Sequence, residues 1–365
     1  MSAPASQPIA PICRHFGTCG GCTAQDVPPH IHAADKQAQI ARALARHGFA
    51  DPVINAVIGV PPKTRRRATL KAAKQDGVML IGFHEARTHN IADMHECHVL
   101  TPQIFALVGA LRERLGALLR DGDGCEISVT QADNGFDVAL DWPRKITPAL
   151  TTEFAKMSAK LNIARLTARA EPVVTMRQPN VKLGPAQIAL PLAAFLQPTR
   201  EGEAMLQELV CAAAGKSKSI IDLFSGCGTF ALVLAARARV HAVEQSAAML
   251  EALALGVRNT QGLKPVTTEK RDLAKVPVSL PELKRFDCAV LDPPRAGAAP
   301  QCAILASSAL KRLIYASCSP ESFARDARIL CDGGFNLGAI TPVDQFLWSS
   351  HTELVAVFTK RRMPS

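Results

Sequence analysis

A thiol, hydroxyls and a helix start stand together in Tyr315-Ala316-Ser317-Cys318-Ser319-Pro320. The mostly apolar run from Leu313 reads as a buried strand, and Pro320-Glu321 opens a helix. Cys318 therefore falls at a strand's carboxyl end, the edge where open α/β sheets bind ligands. The amino end of the next helix favours thiolate over thiol, so nucleophilic chemistry is expected there. A small buried core residue is the competing use of such a cysteine.

A second group of thiols lies near the amino terminus. Cys13, Cys19 and Cys22 stand in CRHFGTCGGCTAQ, whose glycines let the backbone wrap a central object. Three thiolates within ten residues can ligate one centre, and a fourth ligand must come from elsewhere. Cys97, in Met94-His95-Glu96-Cys97-His98, is the expected donor, with His95 and His98 as alternatives. All-thiolate ligation suits zinc or an iron-sulfur cluster, and spacing does not choose between them.

The 365 residues can bury a full core, and 48% hydrophobic with 20% charged residues describes a soluble globular chain. A formal charge of +10 leans towards an anionic partner such as nucleic acid. The first twelve residues lack a secretory signal's basic start and apolar core, and no run is long enough to span a bilayer. A cytoplasmic protein is expected, with no membrane partner. Eleven cysteines in a reducing compartment argue for metal binding or chemistry over disulfides.

The elements that must position these residues change character along the chain. Apolar spacing predicts a helix over 30–48. Six basic residues over 63–74, with Arg65-Arg66-Arg67 at their centre, predict a basic hairpin through Gly77 that could contact phosphates. Helices are expected over 101–120 and 153–161, with paired strands around Asn134-Gly135. The first half thus reads as an α+β module. From Ser219 the pattern becomes strand, glycine loop, helix: Asp222-Leu223-Phe224 meets Ser225-Gly226-Cys227-Gly228, then an apolar helix over 230–237. Glycines there let the backbone approach a ligand. The next strand ends in Glu244, placed to accept hydrogen bonds from ribose hydroxyls. A later strand ends in Asp292-Pro293-Pro294-Arg295, where two prolines fix the direction of their neighbours. No phosphate-binding lysine follows the glycine loop, which sets aside a nucleoside-triphosphate site.

DLFSGCGTF, AVEQS, LDPPRAG, YASCSPESFARD and HTELVAVF, in that order, give the chain a resemblance to the S-adenosylmethionine-dependent RNA uracil-5 methyltransferases. The cysteines resemble the 4Fe-4S site of that family's bacterial ribosomal-RNA branch. The resemblance implies an α/β fold. It would have a Rossmann-like class I methyltransferase domain over 191–365 and an α+β iron-sulfur and RNA-contacting module over 1–190. It further implies Cys318 as nucleophile and Glu353 as general base. Gln197, Phe224, Gly226, Glu244, Asp272 and Asp292 would line the S-adenosylmethionine site, and Cys13, Cys19, Cys22 and Cys97 would hold the 4Fe-4S cluster. The implied reaction is methylation of C5 of a uridine in 23S ribosomal RNA through a covalent Cys-C6 adduct, by a monomer with no DNA partner.

The chain departs from the family pattern in two places. Only twelve residues precede Cys13, so the RNA-binding β-barrel called TRAM is not expected, and Thr199 stands where relatives commonly have Asn. The competing readings are a transfer-RNA uracil-5 methyltransferase and a non-catalytic iron-sulfur RNA-binding or redox-sensing protein. A cytosine-5 enzyme would be expected to carry a second cysteine beside Asp292, where Arg295 and Gly297 stand instead.

Overall fold

The computed structural model describes residues 8–360. Helix α1 (Pro29–Arg46) starts with proline at its first position, where no amide hydrogen is needed, and buries Ile40, Ala43 and Leu44. A two-residue strand, β1 (Ile58–Gly59), follows. Strands β2 (Arg67–Gln75), β3 (Val78–His84) and β4 (Ile91–Asp93) form an antiparallel meander, turning between β2 and β3 at Gly77 with φ of 76°. After α2 (Pro102–Leu118) come β5 (Gly124–Ala132), β6 (Gly135–Leu140), α3 (Pro148–Lys160), β7 (Ile163–Ala168) and β8 (Glu171–Thr175). These strands make one sheet in the order β4-β3-β2-β5-β6-β7-β8. Leu107, Leu111 and Leu115 of α2 and Phe154 of α3 share its core.

The hairpin β9 (Asn180–Leu183) and β10 (Ala186–Ala189) packs into a different core, which it shares with α4 (Arg200–Ala214). Then β11 (Ser219–Leu223), α5 (Ala231–Leu234), β12 (Arg239–Glu244), α6 (Ala247–Arg258), β13 (Val266–Lys270) and α7 (Leu280–Leu283) follow. The chain continues through β14 (Cys288–Leu291), α8 (Ala299–Ala306), β15 (Arg312–Ser317), α9 (Pro320–Asp332), β16 (Phe335–Asp344) and β17 (Glu353–Lys360). The second sheet runs β1-β16-β17-β15-β14-β11-β12-β13. Its strands from β13 to β15 are parallel, whereas β17 lies antiparallel between β15 and β16.

The order reverses at β11, which has β12 on one side and β14 on the other. Such a switch point opens a crevice at the strands' carboxyl ends. Ile40, Ala43 and Leu44 of α1 pack into this second sheet's core, and β1 extends its edge. The amino-terminal segment thus reaches across to the carboxyl-terminal sheet. Among the described residues no helix is long and apolar enough to cross a membrane.

Candidate active site

The turn after β11 holds an unusual backbone. Phe224 has φ of 64°, costly for a bulky residue, and Gly226 and Gly228 follow at 53° and 97°. The apolar run expected to be helical over 230–237 is α-helical only over Ala231–Leu234. The tight turn leaves open space at Gly226, where an added Cβ would meet nothing within 4 Å. Glu244, the last residue of β12, accepts from the Gly226 N–H (3.1 Å) and the Ser246 N–H (2.9 Å). It therefore braces the turn, while a carboxylate keeps further lone pairs for a ligand. Below the turn, desolvation pushes the fully buried Asp222 up to about 7, opposed by the Ala231 N–H and aided by Glu244.

A cavity of about 730 Å³ opens at this crevice. Gln197, Phe224, Gly226, Glu244, Asp272, Asp292, Cys318 and Glu353 all line it, so the structure brings these eight residues to one place. Cys318 follows β15 and Glu353 begins β17, and the register pairs Ser317 with Leu354. An antiparallel neighbour thus delivers an acid beside a thiol at the same sheet edge. Asp272 sits at the margin, where Lys275 and the Ala274 N–H lower its carboxyl.

Too many acids share this pocket for all to ionise freely. Desolvation raises Asp292 well above the usual range, with Glu353 and then Asp222 adding to it. Burial raises Glu353, and the Gln345 side chain opposes that rise. Cys318 is pushed up by burial, then by Glu353 and Asp292, with Arg295 opposing. The sequence led us to expect a thiol lowered by the helix end. Ser319 caps α9, but burial and the two carboxylates hold the thiol up instead.

The first sheet lines the cavity through Arg67, Thr69, Ser128 and Thr130, and Arg65, just before β2, joins them. The expected basic phosphate-contacting run divides here. Arg66 turns inward, 1% exposed, to an ion pair with Glu203 (2.6 Å) and the Gln197 carbonyl (3.1 Å). Arg67 lies over the ring of Phe195, 5.0 Å from its centroid, and that ring is 59% exposed.

Cys13, Cys19, Cys22 and Cys97 line a second, smaller cavity of about 50 Å³, walled by Phe16, Phe83 and Met94. Among the described residues no group of three or more His, Cys, Asp or Glu is placed to hold a single metal ion. His98 also lines this cavity and bonds Glu96 (2.6 Å), while the exposed His95 pairs with Asp93 (2.7 Å). Arg65 lines both cavities.

Sequence reasoning missed the residues that hold the segment 345–352. Lys36 of α1, buried, reaches Asp344 Oδ1 (2.5 Å) and the His351 carbonyl (2.9 Å). The Trp348 carbonyl accepts from the N–H groups of Thr23 (2.7 Å) and Ala24 (3.1 Å), just past Cys22. Gln345 bonds Gln197 and Glu353. The one available signal was a lysine at the centre of an amphipathic helix face.

Comparison with known proteins agrees with this geometry. Residues 189–362 match the family model described as tRNA (Uracil-5-)-methyltransferase. The chain is 39% identical to an uncharacterized RNA methyltransferase of Rhizobium meliloti, covering 96% of this chain and 86% of that one. It is 30% identical to the 23S rRNA (uracil(1939)-C(5))-methyltransferase RlmD of Aeromonas salmonicida, over 97% and 83% of the two chains. In fold it is similar to the Pyrococcus abyssi tRNA (uracil-54, C5)-methyltransferase, solved with S-adenosyl-L-homocysteine. That match has a TM-score of 0.74 at 22% identity, covering 93% of this chain and 85% of that one. An α/β methyltransferase fold, a switch-point cavity and these relatives together place the chain in the S-adenosylmethionine-dependent RNA uracil-5 methyltransferases.

Proposed function

We propose that this enzyme methylates C5 of a uridine in 23S ribosomal RNA, with Cys318 as nucleophile and Glu353 as base. The observation that carries the reading is the meeting of these two side chains in the cavity that also holds Phe224, Gly226, Glu244 and Asp292. Gln197, Phe224, Gly226, Glu244, Asp272 and Asp292 form the proposed donor site.

Uracil C5 is a weak nucleophile until the ring's conjugation is broken. Cys318 Sγ, as thiolate, adds its electron pair to C6, and the C5=C6 pair moves towards O4 as an enolate. C5 of that enolate then takes the methyl group, and the donor sulfur keeps the bonding pair. Glu353 removes the C5 proton, the freed pair restores C5=C6, and Cys318 leaves as thiolate. Arg65 and Arg67 are proposed to meet phosphates, and Phe195 at the lip to stack on a base. A base taken out of its stack is required to bring C6 to Cys318 inside the cavity.

Residues 1–190 are read as the RNA-contacting module and 191–365 as the methyltransferase domain. In the first, Cys13, Cys19, Cys22 and Cys97 would hold a 4Fe-4S cluster. Thiols spread around one cavity suit a cluster gripped at its corners better than a single zinc, whose donors meet about 2.3 Å from one point. Such a cluster, when bound, supplies a cross-link between the 13–22 loop and Cys97. The enzyme is read as a cytoplasmic monomer.

Transfer RNA is the alternative substrate, favoured by the description of the matched family model. Nucleoside mass spectrometry of separately purified 23S and transfer RNA, from a deletion strain and its parent, decides between them. Loss of 5-methyluridine from 23S RNA is expected. Loss confined to transfer RNA overturns the ribosomal reading.

A further inference from the structure

Gln345 lies directly after β16 and is 1% exposed. Its Nε2 donates to Glu353 Oε2 (2.5 Å) and to Gln197 Oε1 (2.7 Å). Its own Oε1 has no hydrogen-bond partner among the described residues. A buried amide oxygen left so is destabilising, and an apolar side chain would avoid that cost. The use of an amide here must therefore lie in the two bonds that it donates.

The surroundings hold this side chain in place. Lys36 grips the chain on either side, at Asp344 Oδ1 and at the His351 carbonyl. Gly202, in the first turn of α4, leaves the necessary room: a Cβ there would stand 2.4 Å from Gln345 Oε1 and 2.8 Å from its Cβ. Donor and acceptor logic then fixes the row. An ionised Glu353 only accepts, so Gln345 turns its NH₂ to it. Gln197 must answer with its carbonyl oxygen, which leaves the Gln197 NH₂ for the cavity.

We propose that Gln345 is a positioning residue: it holds the Glu353 carboxylate in place to receive the C5 proton and locks the orientation of the Gln197 amide. The inference rests on the reading of Glu353 as the base. In that step the proton moves from C5 to Glu353, the C–H pair becomes the C5=C6 bond, and the S–C6 pair leaves with Cys318. Around Glu353 stand Asp292 from the end of β14, Arg295 on the same loop, and Cys318 from the end of β15. Burial opposes ionisation of Glu353 and the Gln345 N–H counters it, while charge on Glu353 opposes ionisation of Asp292.

The test compares Gln345→Leu and Gly202→Ala with Glu353→Gln in the full-length enzyme, using a uridine-containing RNA fragment. Losing a hydrogen bond to a charged group should lower kcat about tenfold to a hundredfold near neutral pH, with KM for RNA unchanged. The acid limb of the kcat profile should move up by about one to two pH units, so alkaline pH restores turnover. A covalent protein-RNA complex should also accumulate on denaturing gels, because proton removal is slowed after the adduct has formed. Gly202→Ala should show the same signature by displacing Gln345, and it carries the test if Gln345→Leu does not fold. Wild-type kcat and pH profile in both variants, or activity lost at every pH without accumulated complex, overturns the proposal. Trapping by Glu353→Gln beside wild-type behaviour of Gln345→Leu defeats this inference alone. Normal turnover by Glu353→Gln defeats the base assignment as well.

Discussion

Cys318 and Glu353 act at different moments in the proposed reaction, and their variants should fail differently. Cys318→Ala should abolish both 5-methyluridine formation and any covalent complex, whereas Glu353→Gln should trap protein on RNA; gel electrophoresis under denaturing conditions reads both. The raised Glu353 carboxyl must ionise to act, so kcat should rise with pH through a limb above the ordinary glutamate range. Asp222 supplies a stability test with a definite sign. Its folded value of about 7 lies above the ordinary 3.8, so its contribution is full below about pH 4 and is lost as pH rises through 7. The loss is on the order of 4 kcal/mol. Urea denaturation at pH 5 and pH 8 should show wild type weakening, and Asp222→Asn should flatten that dependence. The places of Cys318, Gly226, Glu244 and Asp292 at one sheet edge were legible in the sequence because each lies at or just past a strand's end beside a recognisable turn. Gln345 was not, since its partners lie 148 residues before it and 8 after it, and no local spacing marks such a bridge.

At the level of elements, the parallel strands and their helices followed from apolar runs broken by glycine and proline. The basic hairpin of β2 and β3 was also readable, but in the residues leading into β2 Arg66 turns inward while its neighbours Arg65 and Arg67 line the cavity. No pattern in the sequence says that α1 belongs to the second sheet, because an amphipathic face does not name what covers it. That docking places Lys36 under the 345–352 segment. Removing one member of a buried ion pair leaves the other uncompensated, at about 3–5 kcal/mol. Lys36→Met should therefore lower the midpoint of chemical denaturation sharply and increase hydrogen exchange across 345–352. Unchanged exchange there would show that the segment is held by other contacts.

At the scale of the whole molecule, one cavity is walled by both sheets, so RNA contact and methyl transfer share a surface. The thiol-lined cavity is tied to the same surface at two points. Arg65 lines both cavities, and the residues after Cys22 hold the Trp348 carbonyl. Cys97→Ser should therefore loosen more than the 13–22 loop. Hydrogen exchange should rise in 345–352 as well, in a protein whose donor site around Gly226 keeps its protection. The insertion of β17 between two antiparallel neighbours has a further consequence, for length variation. Side chains alternate along the strand, so a single residue added after Leu354 would put leucine where Glu353 now faces the cavity, even with every later pair intact. Insertions and deletions among relatives should gather in the 345–352 segment and spare the strand that follows it.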